Sequence, residues 1–506
     1  MMKKNINKTH IKRLGHFLVH LSICSFCLAG KAEESRNPNI IIIMADDMGY
    51  GDVRAFYPES EIPTPNLDTL AREGMMFTDA HTPSSVCTPT RYGLLTGQYC
   101  WRTQLKSGVL KGYDLPLIPE DRVTIADYLD GLGYQTGIVG KWHLGLEYQE
   151  KSRGEEGIHD EFDLSKPLLH SPNRDGFDYS FVLPASLDFE PYLYVRNDDV
   201  VDTQFERVPT TDFPHFWREG IKSKSLEFDQ VLDDLLVEAK DFIERATDSG
   251  DPFFLYFPLT APHKPVSPAE RFVGDSGRGL YGDFVHQIDW TAGEIMKLLD
   301  RLNQVENTLV IFTSDNGSPM YRMNAETYPD HATDETLDYY NERHHRANSY
   351  LRGIKGDLYE GGHRVPFIVR WPAKVTPDQK TSETICLTDI FATMVELTEQ
   401  EKPGGNAEDS YSFAAQLLGK KEKRDRPPII HHSGGAGTFA IRKDQWKLIL
   451  GNGSGARTKP VGKPFHKPYQ LYNLDHDLGE TNNLISQAPE IAAQLESEFL
   501  ELKGDD

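Results

Sequence analysis

The chain is 506 residues long, with 38% hydrophobic and 26% charged residues, an ordinary globular composition in a length that predicts more than one core. Its formal net charge of −23 speaks against nucleic acid as a partner, because that binding draws on a strong positive field. An anionic substrate would have to be met by a local cationic pocket.

At the N-terminus a basic head (Lys3, Lys4, Lys8, Lys12, Arg13) precedes an apolar run from Leu14 to Ala29, and Gly30-Lys31-Ala32 offers small residues at signal-peptidase spacing. Residues 1–32 therefore read as an export signal, too short for a membrane anchor. Cys24 and Cys27 lack the preceding small residue that lipid modification needs. The expected product is exported, periplasmic or secreted, with no membrane span in the mature chain. It keeps Cys87, Cys100 and Cys386, and three cysteines cannot all pair in an oxidising compartment.

Asn39–Ala45 (NIIIIMA) is a continuous apolar run that predicts a buried parallel strand ending at Asp46-Asp47. Similar runs follow at Gln135–Val139, Phe253–Phe257, Thr308–Thr313 and Val365–Val369. Helical patterns alternate with them at Asn66–Arg72, Ile125–Leu132, Phe228–Ala246, Val285–Leu302 and Leu387–Leu397. The alternation predicts an α/β fold: a large mixed, mostly parallel sheet sandwiched by helices. Ligands sit at the carboxyl ends of the strands in such sheets, where Asp46-Asp47 and Asp315-Asn316 fall. The segments Glu399–Asp409 and Lys420–Pro428 read as connection. Strand-like Phe439–Leu450 and Gln470–Leu474, with a helix near Ile491–Leu502, predict a smaller C-terminal α+β domain. The expected domains are a catalytic one over 38–420 and a C-terminal one over 428–506. Ser318–Tyr350, rich in His, Asp and Tyr, reads as an insertion over a site.

The sharpest local signal is Cys87-Thr88-Pro89-Thr90-Arg91, followed by Tyr92-Gly93-Leu94-Leu95-Thr96-Gly97. Other blocks follow in order around it: Asp46-Asp47-Met48-Gly49-Tyr50-Gly51, Gly140-Lys141-Trp142-His143-Leu144-Gly145 and Thr260-Ala261-Pro262-His263. Then come Ser314-Asp315-Asn316-Gly317, and Lys355 within Arg352-Gly353-Ile354-Lys355-Gly356. Near the C-terminus stand Leu471-Tyr472-Asn473-Leu474, Glu480 and Asn482-Asn483-Leu484. Asp46, Asp47, Asp315 and Asn316 offer four oxygen donors from two strand ends, a set that suits Ca²⁺ better than Mg²⁺ or Mn²⁺. No Cys/His set has zinc spacing.

From Asn39 to about Leu484 the sequence resembles the type I, formylglycine-dependent sulfatases of the alkaline phosphatase superfamily, in the arylsulfatase A and N-acetylgalactosamine-sulfatase branch. The resemblance implies that Cys87 is the modified residue, oxidised to formylglycine by a formylglycine-generating or anaerobic sulfatase-maturating enzyme. It implies one Ca²⁺ held by Asp46, Asp47, residue 87, Asp315 and Asn316. In the roles it carries over, Asp315 helps deprotonate the attacking hydroxyl, and Arg91 and Lys141 hold the nucleophile and its charge. His143 takes the proton from the second hydroxyl, and His263 with Lys355 protonates the departing alcohol. Formylglycine hydrate attacks sulfur with one hydroxyl; deprotonating the other expels sulfate, a release that a sulfated thiol lacks. Ser186 matches a more variable sulfate-contacting position.

Related metal sites on this fold cleave phosphorus esters, but no block for a second metal is present. A non-catalytic sulfoglycan-binding descendant would be expected to have lost Cys87, His143 or Lys355, and all three remain. The reading is hydrolysis of a sulfated saccharide. Because both enzyme and glycan are anionic, a pocket for one terminal sugar is expected, hence exo-action. His344, His345, Arg346 and Arg352 are the expected sugar contacts.

Overall fold

Every residue of Asn39–Asp46 is buried, and successive side chains enter opposite cores. Ile41, Ile43 and Ala45 pack in one apolar cluster and Ile40, Ile42 and Met44 in another, so both faces of the strand are covered. The computed structural model describes residues 37–152, 157–319, 345–420, 424–435 and 437–504, which lie within one compact unit, Asn37–Asp506. The export-signal segment, His344 and most of the polar insertion lie outside the described residues.

In chain order the strands are β1 (Asn39–Asp46), β2 (Met75–His81), β3 (Gln135–Lys141), β4 (Tyr179–Leu183), β5 (Val195–Arg196), β6 (Asp199–Val200), β7 (Phe205–Val208), β8 (Gly220–Ser223), β9 (Phe253–Pro262), β10 (Thr308–Ser314), β11 (Ile368–Arg370) and β12 (Gln379–Cys386). All but β7 and β8, which pair as a hairpin, form a ten-stranded sheet ordered β12-β2-β11-β10-β1-β9-β3-β4-β5-β6. The five central strands, β10, β1, β9, β3 and β4, are mutually parallel. Their carboxyl ends therefore meet along one edge: Ala45 stands beside Ser314, Asp46 beside Pro262 and Lys141 beside Leu183.

The helices are α1 (Pro65–Arg72), α2 (Cys87–Thr96), α3 (Ile125–Asp130), α4 (Val231–Ser249), α5 (Gly279–Arg301), α6 (Glu360–His363), α7 (Asp389–Leu397), α8 (Ala414–Leu417) and α9 (Pro489–Lys503). Apolar residues of α1, α4 and α5 fill one cluster and those of α2, α3 and α7 the other, giving the expected helix–sheet–helix sandwich. The C-terminal part is a four-stranded antiparallel sheet of β13 (Ile429–His432), β14 (Phe439–Lys443), β15 (Trp446–Ile449) and β16 (Gln470–Asn473). Helix α9 covers one face through Leu495 and Phe499; Leu358 and Tyr359 cover the other.

The apolar run at Val365–Val369 yields only a short strand, β11, antiparallel to β10. Phe439–Leu450 is a hairpin rather than one strand, because Asp444 takes a left-handed φ of 48° and reverses the chain. Helix α2 carries no amphipathic signal, since all ten of its residues are buried.

Candidate active site

Five chain segments converge on Cys87, the first residue of α2, at the carboxyl edge of the sheet. The end of β1 supplies Asp46, and Asp47 turns sharply after it with a φ of 69°, a conformation Asp tolerates. The end of β10 supplies Asp315, whose Oδ1 accepts from the Asp47 amide at 3.1 Å. The end of β3 supplies Lys141 and then His143, also left-handed at φ 61°. The intervening Trp142 is fully buried and donates to the Gly145 carbonyl, pinning this turn. His263 follows β9, and the loop ahead of α6 brings in Lys355.

The close approach is made by glycines. A Cβ on Gly49 or Gly51 would overlap the carbonyl of Ala347 or Arg346, and one on Gly317 the carbonyl of Gly361. The glycines of the two acidic motifs therefore let neighbouring backbone close over the site.

Three buried carboxylates and three buried cations are interleaved. Lys355 Nζ lies 3.2 Å from Cys87 Sγ and 2.5 Å from Asp47 Oδ1. Lys141 Nζ donates to Asp46 Oδ2 at 2.7 Å. Arg91 reaches Asp315 Oδ2 with Nε and Nη2, at 3.1 and 2.7 Å, and the Lys141 carbonyl with Nη1. Cys87 Sγ stands 3.5 Å from Asp46 Oδ1. Burial, helped by Asp315, pushes the Cys87 thiol up to about 12 against the pull of Lys141 and Lys355. At neutral pH this side chain is a thiol, a weak nucleophile. Burial also lifts the Asp46 carboxyl to about 7, despite Lys141. Asp47 is likewise desolvated, but Lys355 and the Asn316 amide outweigh that and hold it below the usual carboxylate range.

The two histidines present different nitrogens. His143 Nε2 stands 2.7 Å from the Leu110 carbonyl, which only accepts, so Nε2 carries the hydrogen. His143 Nδ1 is then a bare lone pair, buried and without a partner among the described residues. Burial, then Lys141 and Arg91, hold this ring well below the ordinary histidine range, so it stays neutral and able to accept a proton. His263 is the mirror case: Nδ1 donates to the Lys264 carbonyl at 2.6 Å, and Nε2 faces Asp47 Oδ2 at 3.6 Å.

Asp46, Asp47, Cys87 and His263 each offer a ligand atom within 4.8 Å of the others. Asn316 Oδ1 is buried without a partner among the described residues, one further oxygen beside Asp47. This donor set is dominated by hard oxygens and fits a calcium-sized cation. His263, which the sequence reading placed on the leaving group, also stands within this cluster.

The remaining sequence-predicted residues fall less evenly. Ser186 is buried on the loop after β4. His345 Nε2 is 2.6 Å from Asp52 Oδ1, and Asp52 also accepts from Tyr281 and the Gly49 amide. Arg352 donates to the Glu480 carbonyl at 2.6 Å and stacks on Tyr359 at 3.8 Å. Arg346 is exposed beside the Tyr57 hydroxyl. His345 Nε2 and Arg352 Nη1 are thus engaged by Asp52 and by the Glu480 carbonyl. Cys100 and Cys386 are buried, and neither pairs with another cysteine among the described residues. Sequence reasoning missed Asp188, Phe189 and Arg218, which assemble beside His143 and His263 across 30 residues of chain.

A sheet whose parallel strands end in carboxylates and Lys141, facing Cys87 on α2 and Lys355, defines an α/β protein with a site suited to an anionic ester. Residues 38–400 match the family Sulfatase. The chain is 36% identical over 507 residues to N-acetylgalactosamine-6-O-sulfatase of Bacteroides thetaiotaomicron, covering 93% of each. It is 30% identical over 496 residues to bovine arylsulfatase A, covering 93% of this chain and 88% of that one. A solved Bacteroides thetaiotaomicron structure, described under the metabolism of multiple glycosaminoglycans, superposes with a TM-score of 0.80 at 34% identity, over 93% of this chain and 100% of that one. The chain belongs to the sulfatase family and is a sulfuric ester hydrolase. Among the described residues no helix is long and apolar enough to cross a membrane.

Proposed function

We propose that this sulfatase is exported and removes sulfate from saccharides, most directly a sulfated N-acetylhexosamine, working from chain ends. We further propose that its nucleophile is formylglycine made from Cys87 by a maturation enzyme, and that Asp46, Asp47, Asp315, Asn316 and residue 87 hold one Ca²⁺. The observation that carries this is the state of Cys87: a buried, neutral thiol at the focus of three carboxylates and three cations. Machinery for an anionic substrate surrounds a group that is a poor nucleophile until it is modified.

When present, calcium supplies charge neutralisation at the sulfate oxygens, and formylglycine hydrate supplies the attacking hydroxyl together with the second hydroxyl that permits release. The chain's own residues do the rest. Lys141 and Lys355 stabilise developing negative charge in a pocket closed to water, where fixed cations act most strongly. Arg91, held by Asp315 and the Lys141 carbonyl, fixes the orientation of that carboxylate. His143 accepts a proton at Nδ1, the free nitrogen of its ring. His263, with Nδ1–H anchored on the Lys264 carbonyl, keeps Nε2 as a lone pair in the resting site, so the proton for the departing alcohol comes from the Lys355 ammonium and His263 Nε2 relays it.

The sugar reading rests on the name of the Bacteroides relative, and the exo reading on a recessed site, with Cys87 only 1% exposed, in a chain of net charge −23. Sulfate release from N-acetylgalactosamine 6-sulfate and a panel of other sulfated sugars tests both. Rapid desulfation inside intact polymer contradicts the pocket; release only from aryl sulfates contradicts the sugar.

A further inference from the structure

Beside the catalytic histidines, three charged and two aromatic side chains form a group that sulfate-ester cleavage itself does not need. Asp188 follows Ser186 on the loop after β4, is 3% exposed, and leaves Oδ1 without a partner among the described residues. Its Oδ2 and its carbonyl both accept from Arg218 Nη1, each at 2.8 Å. Arg218 lies just before β8, its backbone carbonyl held by the Tyr192 hydroxyl at 2.8 Å. Its guanidinium stacks on Phe189 at 4.3 Å and lies 5.2 Å from the ring of Phe216. Lys264 joins from the other side, with Nζ 3.9 Å from Asp188 Oδ2 and 5.1 Å from the Phe216 ring.

This group adjoins the active site. The Phe189 ring is 6.4 Å from that of His143, Lys264 follows His263 in the chain, and the charge of Asp188 is felt at His263. Arg218 and Lys264 thus bring two cations to the Asp188 carboxylate in a strongly acidic chain. The Arg218 side chain remains 42% exposed, and its Nε and Nη2 meet no acceptor among the described residues. An arginine with one nitrogen clamped, its plane fixed on an aromatic ring and two donors facing solvent is pre-organised for an oxyanion. Asp188 sets that orientation through one nitrogen and leaves the other two donors open.

We propose that Arg218, positioned by Asp188, Phe189 and Phe216, is a specificity-determining residue that receives a second anionic group of the substrate, either a carboxylate or a further sulfate. The inference rests on the sulfated-saccharide reading and names the chemistry beside the scissile ester.

The test measures kcat/KM for the wild type, Arg218→Lys and Arg218→Ala on three substrates. These are a monosulfated N-acetylhexosamine methyl glycoside, the same sugar linked to a uronic acid, and a disulfated N-acetylhexosamine. The wild type is expected to favour at least one doubly charged substrate. Arg218→Ala should lose about tenfold or more on that substrate, mainly through KM, as truncating a charge-assisted hydrogen bond does. That loss should exceed the loss on the methyl glycoside by about fivefold, with Arg218→Lys intermediate. The substrate that suffers most separates carboxylate from sulfate. Equal losses on all three, with lowered melting temperature, make Arg218 a structural residue and overturn the inference, as does no loss at all. A wild type that releases sulfate from none of the three overturns the saccharide reading and the inference with it.

Discussion

His143 and His263 occupy one buried pocket and differ in which nitrogen is bound to a backbone carbonyl. In the proposed mechanism that difference gives them separate work, one ring offering Nδ1 as a base and the other presenting Nε2 toward the leaving group. A sugar alkoxide is a strong base and needs its proton, whereas an activated aryl leaving group needs it far less. Substituting His263 by Ala should therefore cost roughly a hundredfold or more in kcat on sugar sulfates and about tenfold or less on an aryl sulfate. Parallel assays on the two substrates check this, and equal losses would assign His263 to binding instead. These residues were legible because their chemistry sits in contiguous motifs such as Gly140–Gly145. The tautomers were not, because they depend on Leu110 and Lys264 carbonyls placed by tertiary structure.

At the scale of elements, the central strands could be read from their apolar runs, because burial on both faces leaves continuous hydrophobic sequence. Helix α2 could not: Thr88-Pro89-Thr90 is a poor helix former, and complete burial erases periodicity. The partner of His345 was not legible either, since it meets Asp52 across 293 residues of chain. Packing against backbone gives one prediction here. Gly317→Ala would press a methyl group on the Gly361 carbonyl, which has no side chain to swing aside. A cost of about 1–3 kcal/mol is expected from overpacking, read as a lowered denaturant midpoint; an unchanged midpoint would show that the loop yields.

The joint between the two sheets gives a second prediction. His363 stacks on His431 at 3.8 Å and meets His81 Nδ1 to Nδ1 at 3.1 Å. Asp79, Glu360, Glu480, Lys447, Arg364 and Arg442 surround them. Burial first, then cationic neighbours including Lys447, hold His363 and His431 well below the ordinary range. Each therefore stays neutral in the fold while the unfolded chain takes up protons below about pH 6.5. Stability is fully present above that pH and falls as pH drops through it, by up to about 1.4 kcal/mol per unit for each histidine. Glu480, lifted to about 7 chiefly by burial, gains a proton in the fold over the same range and offsets part of one. Melting temperature should fall from pH 7.5 to 5.5, and fall less in His431→Phe; identical pH profiles would remove this joint from the acid response.

Across the whole molecule, a net charge of −23 surrounds a site where charges nearly cancel, with Asp46, Asp47 and Asp315 against Arg91, Lys141 and Lys355. Adding a divalent cation tips that balance toward an anionic substrate and ties β1, α2 and β10 together. Chelated protein should lose activity and melt at a lower temperature, and Ca²⁺ should restore both, the thermal shift growing with its concentration as linkage requires. A calcium-independent melting curve would count against the ligand set, whatever the activity. The central claim is tested most directly at residue 87, by the mass of its peptide from enzyme that is releasing sulfate. The account predicts an aldehyde or its hydrate in place of the thiol, with Cys87→Ala folded but inactive; an intact thiol in fully active enzyme would contradict it.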